Sequence, residues 1–332
     1  MTAPTTDILA IGNAIVDVIA HADDDFLIAE GIHKGAMNLI DEARAEHLYA
    51  AMGPATIISG GSAANTAVGA AMLGARTRFI GKVKTDETGR IFTHDIRAVG
   101  VSFDTAPANA GPATARSFIF VTPDGERTMN TYLGACQNLT SDDIDEATVA
   151  ACGITYLEGY LWDPPAAKEA FVKAATLAHA AGRRVALTLS DSFCVDRYRA
   201  EFLGLMRRRL VDIVFANESE LHALYQTADF ATAVAAFQAD DVLGVCTRSE
   251  KGSIVVTREG VLEAKAFPVE RIADTTGAGD LFAAGFLAGL ARGESHKACA
   301  RLGAMAAAEI IQHVGARPEA NLTDLATQAG LF

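Results

Sequence analysis

The sequence predicts an α/β fold: a three-layer α/β/α core on a mostly parallel sheet, with a small β-sheet lid beside it. Three observations carry this. Short apolar runs alternate with helical stretches over most of the 332 residues, and parallel strands need such crossover connections. Several runs are apolar throughout, as in strands covered on both faces. Two separated stretches break the alternation, with strands that lack long helices between them.

In order, Ile8–Gly12 is a short apolar run closed by glycine, a buried strand. Ala14–Ala20 and Ala36–Ile40 follow as strands of the accessory sheet. Ala55–Ser59 is a further strand, leading through Gly60-Gly61 into an alanine-rich helix from Ser62 to Leu73. Arg78–Val83 reads as a strand and Glu87–Val99 as a helix stopped by Gly100. Thr114–Val121 and Arg127–Tyr132 are strands joined by Pro123-Asp124-Gly125-Glu126, a turn sequence. Ile154–Glu158, Val185–Ser190, Ile213–Ala216 and Val242–Thr247 are core strands. Helices lie between them, such as Ala166–Ala181 ended by Gly182. Ser253–Thr257 and Val261–Ala266 form a hairpin about Glu259-Gly260. Helices Ala278–Ala291 and Ser295–His313 fill the last quarter. The expected division is a core of residues 1–13, 46–102 and 136–332, with residues 14–45 and 103–135 as the lid. A lid over the carboxyl ends of the strands would cover the edge where open α/β sheets bind ligands.

Composition narrows the function. Apolar residues make up 50% and charged residues 21% of the chain, enough for a large core, which excludes a disordered chain. Lys+Arg number 28 against 41 Asp+Glu, a net charge of -13. Bulk charge therefore argues against nucleic acid or an anionic membrane as partner. A polyanion must instead meet a local device such as backbone N–H groups. The five cysteines, at 136, 152, 194, 246 and 299, form no C-x-x-C pair and are expected to be reduced thiols. The opening MTAPTTDILAIGNAIVDVIA has no basic stretch and is interrupted by Asn13 and Asp17, so it does not read as a signal peptide. No run of about 18 apolar residues occurs. A cytoplasmic location is the expectation, with monomer and homodimer both open.

Four motifs carry chemistry. The first is Asp274-Thr275-Thr276-Gly277-Ala278-Gly279-Asp280, running straight into an apolar helix. The glycines allow close backbone approach, and a helix start with free N–H groups is an anion site. Asp280 would repel a phosphate held there unless it had its own task, and accepting a proton from an attacking hydroxyl is such a task. Otherwise Asp274 or Asp280 is only a helix cap.

The second motif is Gly60-Gly61-Ser62-Ala63-Ala64-Asn65. Ser62 is expected to cap the helix, and Asn65, one turn in, either holds a polar ligand at the helix mouth or merely packs. The third is Gly12-Asn13-Ala14-Ile15-Val16-Asp17. Asn13, Ile15 and Asp17 share one face of a regular strand. Asp17 among apolar neighbours either meets a ligand with adjacent hydroxyls or faces solvent on an edge strand. The fourth is Asn217-Glu218-Ser219-Glu220. Asn217 and Glu220 could hold Mg²⁺ through its waters, or form a capping box.

Other sites are missing from the sequence. There is no G-x-x-x-x-G-K-[ST], no G-x-G-x-x-G after the first strand, no H-E-x-x-H and no G-x-S-x-G. Arg207-Arg208-Arg209 is the one basic triplet and reads as a solvated helix end.

Together these residues resemble the ribokinase-like (PfkB) family of carbohydrate kinases over nearly the whole chain. Gly60–Gly74 is similar to the family's first signature and Asp274–Gly285 to its second. The resemblance implies ATP-dependent phosphorylation of an alcohol, a small molecule. It implies Asp280 as general base and Gly277, Ala278 and Gly279 as anion hole. It implies sugar-hydroxyl contacts from Asp17, Gly61 and Asn65, with Asn13 and Ser62 beside them. Asn217 and Glu220 match an N-x-x-E motif tied to Mg²⁺ and phosphate. Thr247 and Gly252 fall in a segment flanking the nucleotide, where Ser249 stands in a place many members give to glycine. Asp274 and Thr276 match positions that shape a monovalent-cation (K⁺) site, and Thr276 also neighbours the nucleotide.

Within the family the chain looks most like the adenosine kinase branch. Its G-N-x-x-x-D start, Gly159-Tyr160 and Leu189-Ser190-Asp191-Ser192-Phe193 are similar to that branch. Tyr160 and Phe193 are placed to stack on a purine. Met37 and Asn38 stand where the branch often has other residues. The implied activity is transfer from Mg·ATP to the 5′-hydroxyl of a ribonucleoside, adenosine first, giving AMP. A free-sugar kinase acting on ribose or fructose is the alternative on the same fold. A non-catalytic nucleotide- or sugar-binding regulator is the alternative of another class.

Overall fold

Along Thr6–Ile11, Ile8 and Ala10 join one buried apolar cluster while Leu9 and Ile11 join another. Ile213 and Phe215 divide in the same way from Val214 and Ala216. A strand sends successive side chains to opposite faces, so a strand apolar at every position needs a core on each side. That requirement produces the three layers the sequence predicts.

The computed structural model describes residues 3–332, so the first two residues of the opening segment lie outside the described residues. In chain order the first half holds β1 (Thr6–Ile11), β2 (Ile15–His21), α1 (Asp24–Ala29), β3 (Met37–Leu39), α2 (Glu42–Ala51) and β4 (Ala55–Gly60). It continues with α3 (Ser62–Met72), β5 (Thr77–Ile80), α4 (Glu87–Ala98), β6 (Ser102–Phe103), β7 (Ala115–Val121) and β8 (Arg127–Tyr132). Then come α5 (Glu146–Ala150), β9 (Cys152–Glu158), α6 (Pro165–Ala180), β10 (Arg184–Thr188), α7 (Ser192–Arg207), β11 (Ile213–Asn217) and α8 (Glu218–Tyr225). The chain ends through α9 (Phe230–Ala239), β12 (Leu243–Thr247), β13 (Ser253–Thr257), β14 (Gly260–Ala264), α10 (Ala278–Ala291), α11 (His296–Ile310) and α12 (Leu322–Gln328).

Nine strands form one sheet in the order β14-β13-β12-β11-β10-β9-β1-β5-β6. It is parallel from β12 to β6, and the β13–β14 hairpin adds an antiparallel edge. Leu281, Phe286 and Met305 of α10 and α11 fill the core on one face with Ala63 and Val68 of α3. Phe171, Phe202, Leu221 and Phe237 of α6 to α9 fill the other. All five cysteines are buried and unpaired. Among the described residues no helix is long and apolar enough to cross a membrane.

The small sheet has five strands, ordered β3-β8-β7-β2-β4. Four of them are the accessory strands the sequence predicts. The fifth corrects the expected division, because β4 was placed with the core in residues 46–102 yet pairs antiparallel with β2. Its first four residues are all partly or fully exposed, which suits an edge and not a strand covered on both faces. Likewise β6 adds to the edge of the large sheet through Arg78↔Ser102 and Phe79↔Phe103, so the expected boundary between residues 102 and 103 cuts a strand.

Two crossovers bring the sheets together. Gly12–Ala14 carries the chain from β1 to β2, and Gly61 carries it from β4 into α3. Glu158, Asn217 and Thr247 end β9, β11 and β12 on the same carboxyl edge of the large sheet.

Candidate active site

Gly277 begins α10 in a left-handed conformation, φ 78°, and no side chain caps this helix start. A Cβ added at Gly279 would meet nothing within 4 Å, so open space adjoins the turn. The first-turn N–H groups of a helix need partners from outside it. An uncapped fourteen-residue helix with room beside its first turn is therefore suited to an anion.

Asp280 sits in that first turn, partly buried. Its Oδ1 accepts the Ser62 hydroxyl at 2.6 Å and its Oδ2 accepts Asn65 Nδ2 at 3.0 Å. Burial raises the Asp280 pKa, while these two bonds and the charge of Arg317 oppose the rise. Asn65 is buried, and its Oδ1 has no hydrogen-bond partner among the described residues. Ser62 departs from expectation. The cap position of α3 belongs to Gly61, with no side-chain cap bond, so the Ser62 hydroxyl is free to hold Asp280. Gly61 has φ 96°, and a Cβ there would lie 2.2 Å from the Asn13 carbonyl oxygen. Only glycine fits both conditions.

Asp17 is 8% exposed in the middle of β2, opposite Ser117 of β7 and Ile58 of β4. Its carboxylate lies against Gly60, where an added Cβ would stand 2.3 Å from Oδ2. Burial pushes its pKa up to about 6. Arg317 and Arg127 favour the charge and Asp280 disfavours it. Of the two alternatives the sequence left open, the structure has the buried carboxylate, on an inner strand of the small sheet. Asn13 is buried too, but it faces Glu158. Its Nδ2 donates to Glu158 Oε1 at 2.6 Å and its N–H to Oε2 at 3.3 Å, so one of its two amide hydrogens and its backbone donor are already committed. Glu158 also accepts the Ala63 N–H at 2.8 Å. Burial lifts its pKa to about 7 despite these three donors.

Asp274 corrects another expectation. Its carboxylate is paired with Arg127 of β8 and accepts the N–H groups of Thr276 and Gly315, each at 3.0 Å. The pair is almost wholly buried, at 7% and 4% exposure. A guanidinium stands where the resemblance implies a monovalent cation, and Thr276 contributes a backbone donor to Asp274, so these residues do not fit K⁺. Arg127 Nε and Nη2 have no hydrogen-bond partner among the described residues.

Tyr160 is tied to Ser190, which lies in the segment that leads to Phe193. The Tyr160 N–H donates to Ser190 Oγ at 3.0 Å and its hydroxyl to the Ser190 carbonyl at 3.2 Å. Ser190 holds a strained φ of 72° three residues before Phe193. Phe193 is 77% exposed at the start of α7, and Tyr160 is 37% exposed.

Asn217 and Glu220 form a closed capping box. Asn217 Oδ1 accepts the Glu220 N–H, and the Glu220 carboxylate accepts both the Asn217 N–H and its Nδ2. Burial lifts the Glu220 pKa to about 7. Each carboxylate oxygen already accepts one of these donors, which suits the pair to a hydrated metal ion. Among the described residues no cluster of three or more His, Cys, Asp or Glu side chains could hold a metal ion. Thr247 is the parallel partner of Asn217. Gly252 closes the following turn by accepting the Arg248 N–H at 2.8 Å. Ser249 adopts φ 52°, the left-handed conformation glycine would take there.

Sequence reasoning missed Glu158, Arg127 and Arg317. Glu158 is the one charged residue of a strand that is buried at almost every position, which is a visible signal. Arg127 and Arg317 lie outside any motif, and only the fold brings them to the site.

A family model described as the pfkB family carbohydrate kinase matches residues 40–323. The crystal structure of an adenosine kinase from Sinorhizobium meliloti is 56% identical, with a TM-score of 0.91, over 98% of this chain and 99% of that one. A probable sugar kinase protein from Rhizobium etli CFN 42 is 53% identical, with a TM-score of 0.93, over 99% and 100%. The adenosine kinase of Saccharomyces cerevisiae is 27% identical over 95% of this chain and 96% of its own. With the glycine turn, its aspartate and both sheets in place, the chain belongs to the pfkB family of carbohydrate kinases, as a kinase of the sugar and nucleoside class.

Proposed function

We propose that this kinase transfers the γ-phosphoryl group of ATP to the 5′-hydroxyl of a ribonucleoside, converting adenosine to AMP. One observation carries the chemistry: Asp280 is held by Ser62 and Asn65 in the first turn of an uncapped helix with open space beside it. Asp280 takes the proton of the hydroxyl as its oxygen bonds to phosphorus and the bond to ADP breaks. The amides at Gly277–Asp280 hold the negative charge of the migrating group. Mg²⁺ on the ATP phosphates would neutralise part of their charge. Asn217 and Glu220 are suited to meet it through water.

The orphan Oδ1 of Asn65 and the carboxylate of Asp17 suit ribose hydroxyls. Register supports a lid role for the small sheet. Asp17, Ser117, Thr131 and Leu39 lie opposite one another across β2, β7, β8 and β3, so they share one face. Leu39 and Met37 on that face are 57% and 50% exposed, an apolar rim for a base. With Tyr160 and Phe193 exposed as well, a flat purine is favoured over a bare sugar. Closure would exclude the water that otherwise hydrolyses ATP.

The second reading is a free-sugar kinase, favoured by the 53% identity to the Rhizobium etli protein. ADP release with adenosine, ribose and fructose under one set of conditions separates the two. Adenosine as the best acceptor supports the proposal, and a sugar turned over faster overturns it.

A further inference from the structure

Arg317 lies between α11 and α12, in a segment fixed at both ends. The Gly315 N–H donates to Asp274, and the N–H groups of Glu319 and Ala320 donate to Glu309 Oε1 at 2.9 and 2.8 Å. From there the partly buried guanidinium reaches the β4–α3 turn. Nε and Nη2 donate to the Ser59 carbonyl at 2.9 and 2.6 Å, Nη2 also to Ser59 Oγ at 3.1 Å, and Nη1 to the Ala64 carbonyl at 3.3 Å.

The two residues it grips are informative. Ser59 precedes Gly60, which cradles the Asp17 carboxylate. Ala64 precedes Asn65, which holds Asp280. All three acceptor atoms of these four bonds are neutral, and among the described residues Arg317 makes no ion pair within the usual 4 Å. Its charge is thus not cancelled at close range. It acts on Asp17, Asp280 and Asp95, the last of which accepts the Ser59 N–H on the far side of the turn. Burial brings the Arg317 pKa down only to about 10, so the guanidinium stays charged at neutral pH.

We propose that Arg317 is a positioning residue of the phosphoryl-transfer reaction: it pins the turn that sets Asp17 and Asp280, and its guanidinium is the fixed cation that faces both carboxylates while a polyanionic nucleotide is bound. This rests on the kinase reading for its purpose. A base that must be ionised, beside an acceptor-binding carboxylate and a triphosphate, needs a fixed cation to offset three sources of negative charge. Other titratable groups facing the pair are Arg127 of β8, which favours the Asp17 charge, and Glu158, Tyr156 and Tyr160, which interact with Asp280.

The test is the titration of Asp17 and Asp280 by carboxyl NMR on the nucleotide-free chain, with signals assigned from Asp17→Asn and Asp280→Asn. Arg317→Met should raise both midpoints by about one pH unit, and Arg317→Lys should restore most of that shift. Arg317→Gln, which keeps a donor for Ser59, serves if the methionine variant does not fold, with the same shift expected. With adenosine, the acidic limb of kcat/KM should move upward by the same amount. Midpoints that stay within about 0.2 units of wild type in a folded Met or Gln variant would overturn the proposal, as would a lysine variant no better than methionine. The titration needs no turnover. A wild-type chain inactive on every acceptor would defeat the nucleoside reading, while the midpoints still decide the role of Arg317.

Discussion

The Ser62 hydroxyl donates to Asp280 Oδ1 at 2.6 Å, linking the first residue of α3 to the first turn of α10 across 218 positions of sequence. This bond aims the carboxylate and favours its charged form, against a burial that disfavours it. Ser62→Ala should cut kcat/KM about tenfold and move the acidic limb of the pH profile upward. The sign follows from the raised pKa of Asp280, since the base is lost as pH falls through it. A pH–rate profile checks this, and an unmoved limb would mean the bond is only structural.

Asp17 meets the acceptor in this account, not the nucleotide. Asp17→Asn should raise the apparent KM for adenosine by about tenfold or more and leave the KM for ATP nearly unchanged. Steady-state kinetics with each substrate varied in turn would expose the opposite pattern.

Arg127 and Asp274 join β8 of the small sheet to the glycine turn. Removing one partner strands a buried charge, although the Thr276 and Gly315 N–H groups remain on Asp274. Arg127→Met should therefore cost about 2–4 kcal/mol of stability, and adding Asp274→Asn should return part of it. Denaturant unfolding of the single and double variants measures both.

Glu158 makes stability depend on pH. Its folded pKa of about 7 lies above the ordinary 4.5, so the folded state holds the proton more tightly than the unfolded chain. The stabilisation is complete below pH 4.5 and is lost as pH rises through about 7, a change of about 3 kcal/mol. Glu158→Gln keeps the site uncharged, and Asn13 can turn its amide to match. The fall in melting temperature between pH 5 and 8 should flatten in the variant. An equal slope in both proteins would count against a protonated Glu158.

Much of this was legible in the residues. The strand–helix alternation gave the large sheet, and the D-T-T-G-A-G-D run placed Asp280 in the first turn of a helix. Helix Ala278–Ala291 has the bounds the sequence predicts. The rest was hidden for physical reasons. A serine after Gly-Gly looks like a cap, and only the positive φ of Gly61 shifts the cap position and releases Ser62. The edge placement of β4 depends on which strand finds it as partner. An N-x-x-E spacing serves a capping box as readily as a hydrated ion, and here the box is closed. Arg127 and Arg317 act across 147 and 258 positions, where no local pattern reaches.

The most direct test is turnover of adenosine with ATP by the Asp280→Asn chain, beside ATP binding measured by calorimetry. The expected result is a loss of at least about a thousandfold in kcat with ATP affinity nearly intact. Activity within about tenfold of the unaltered chain would contradict the role of Asp280 as the base.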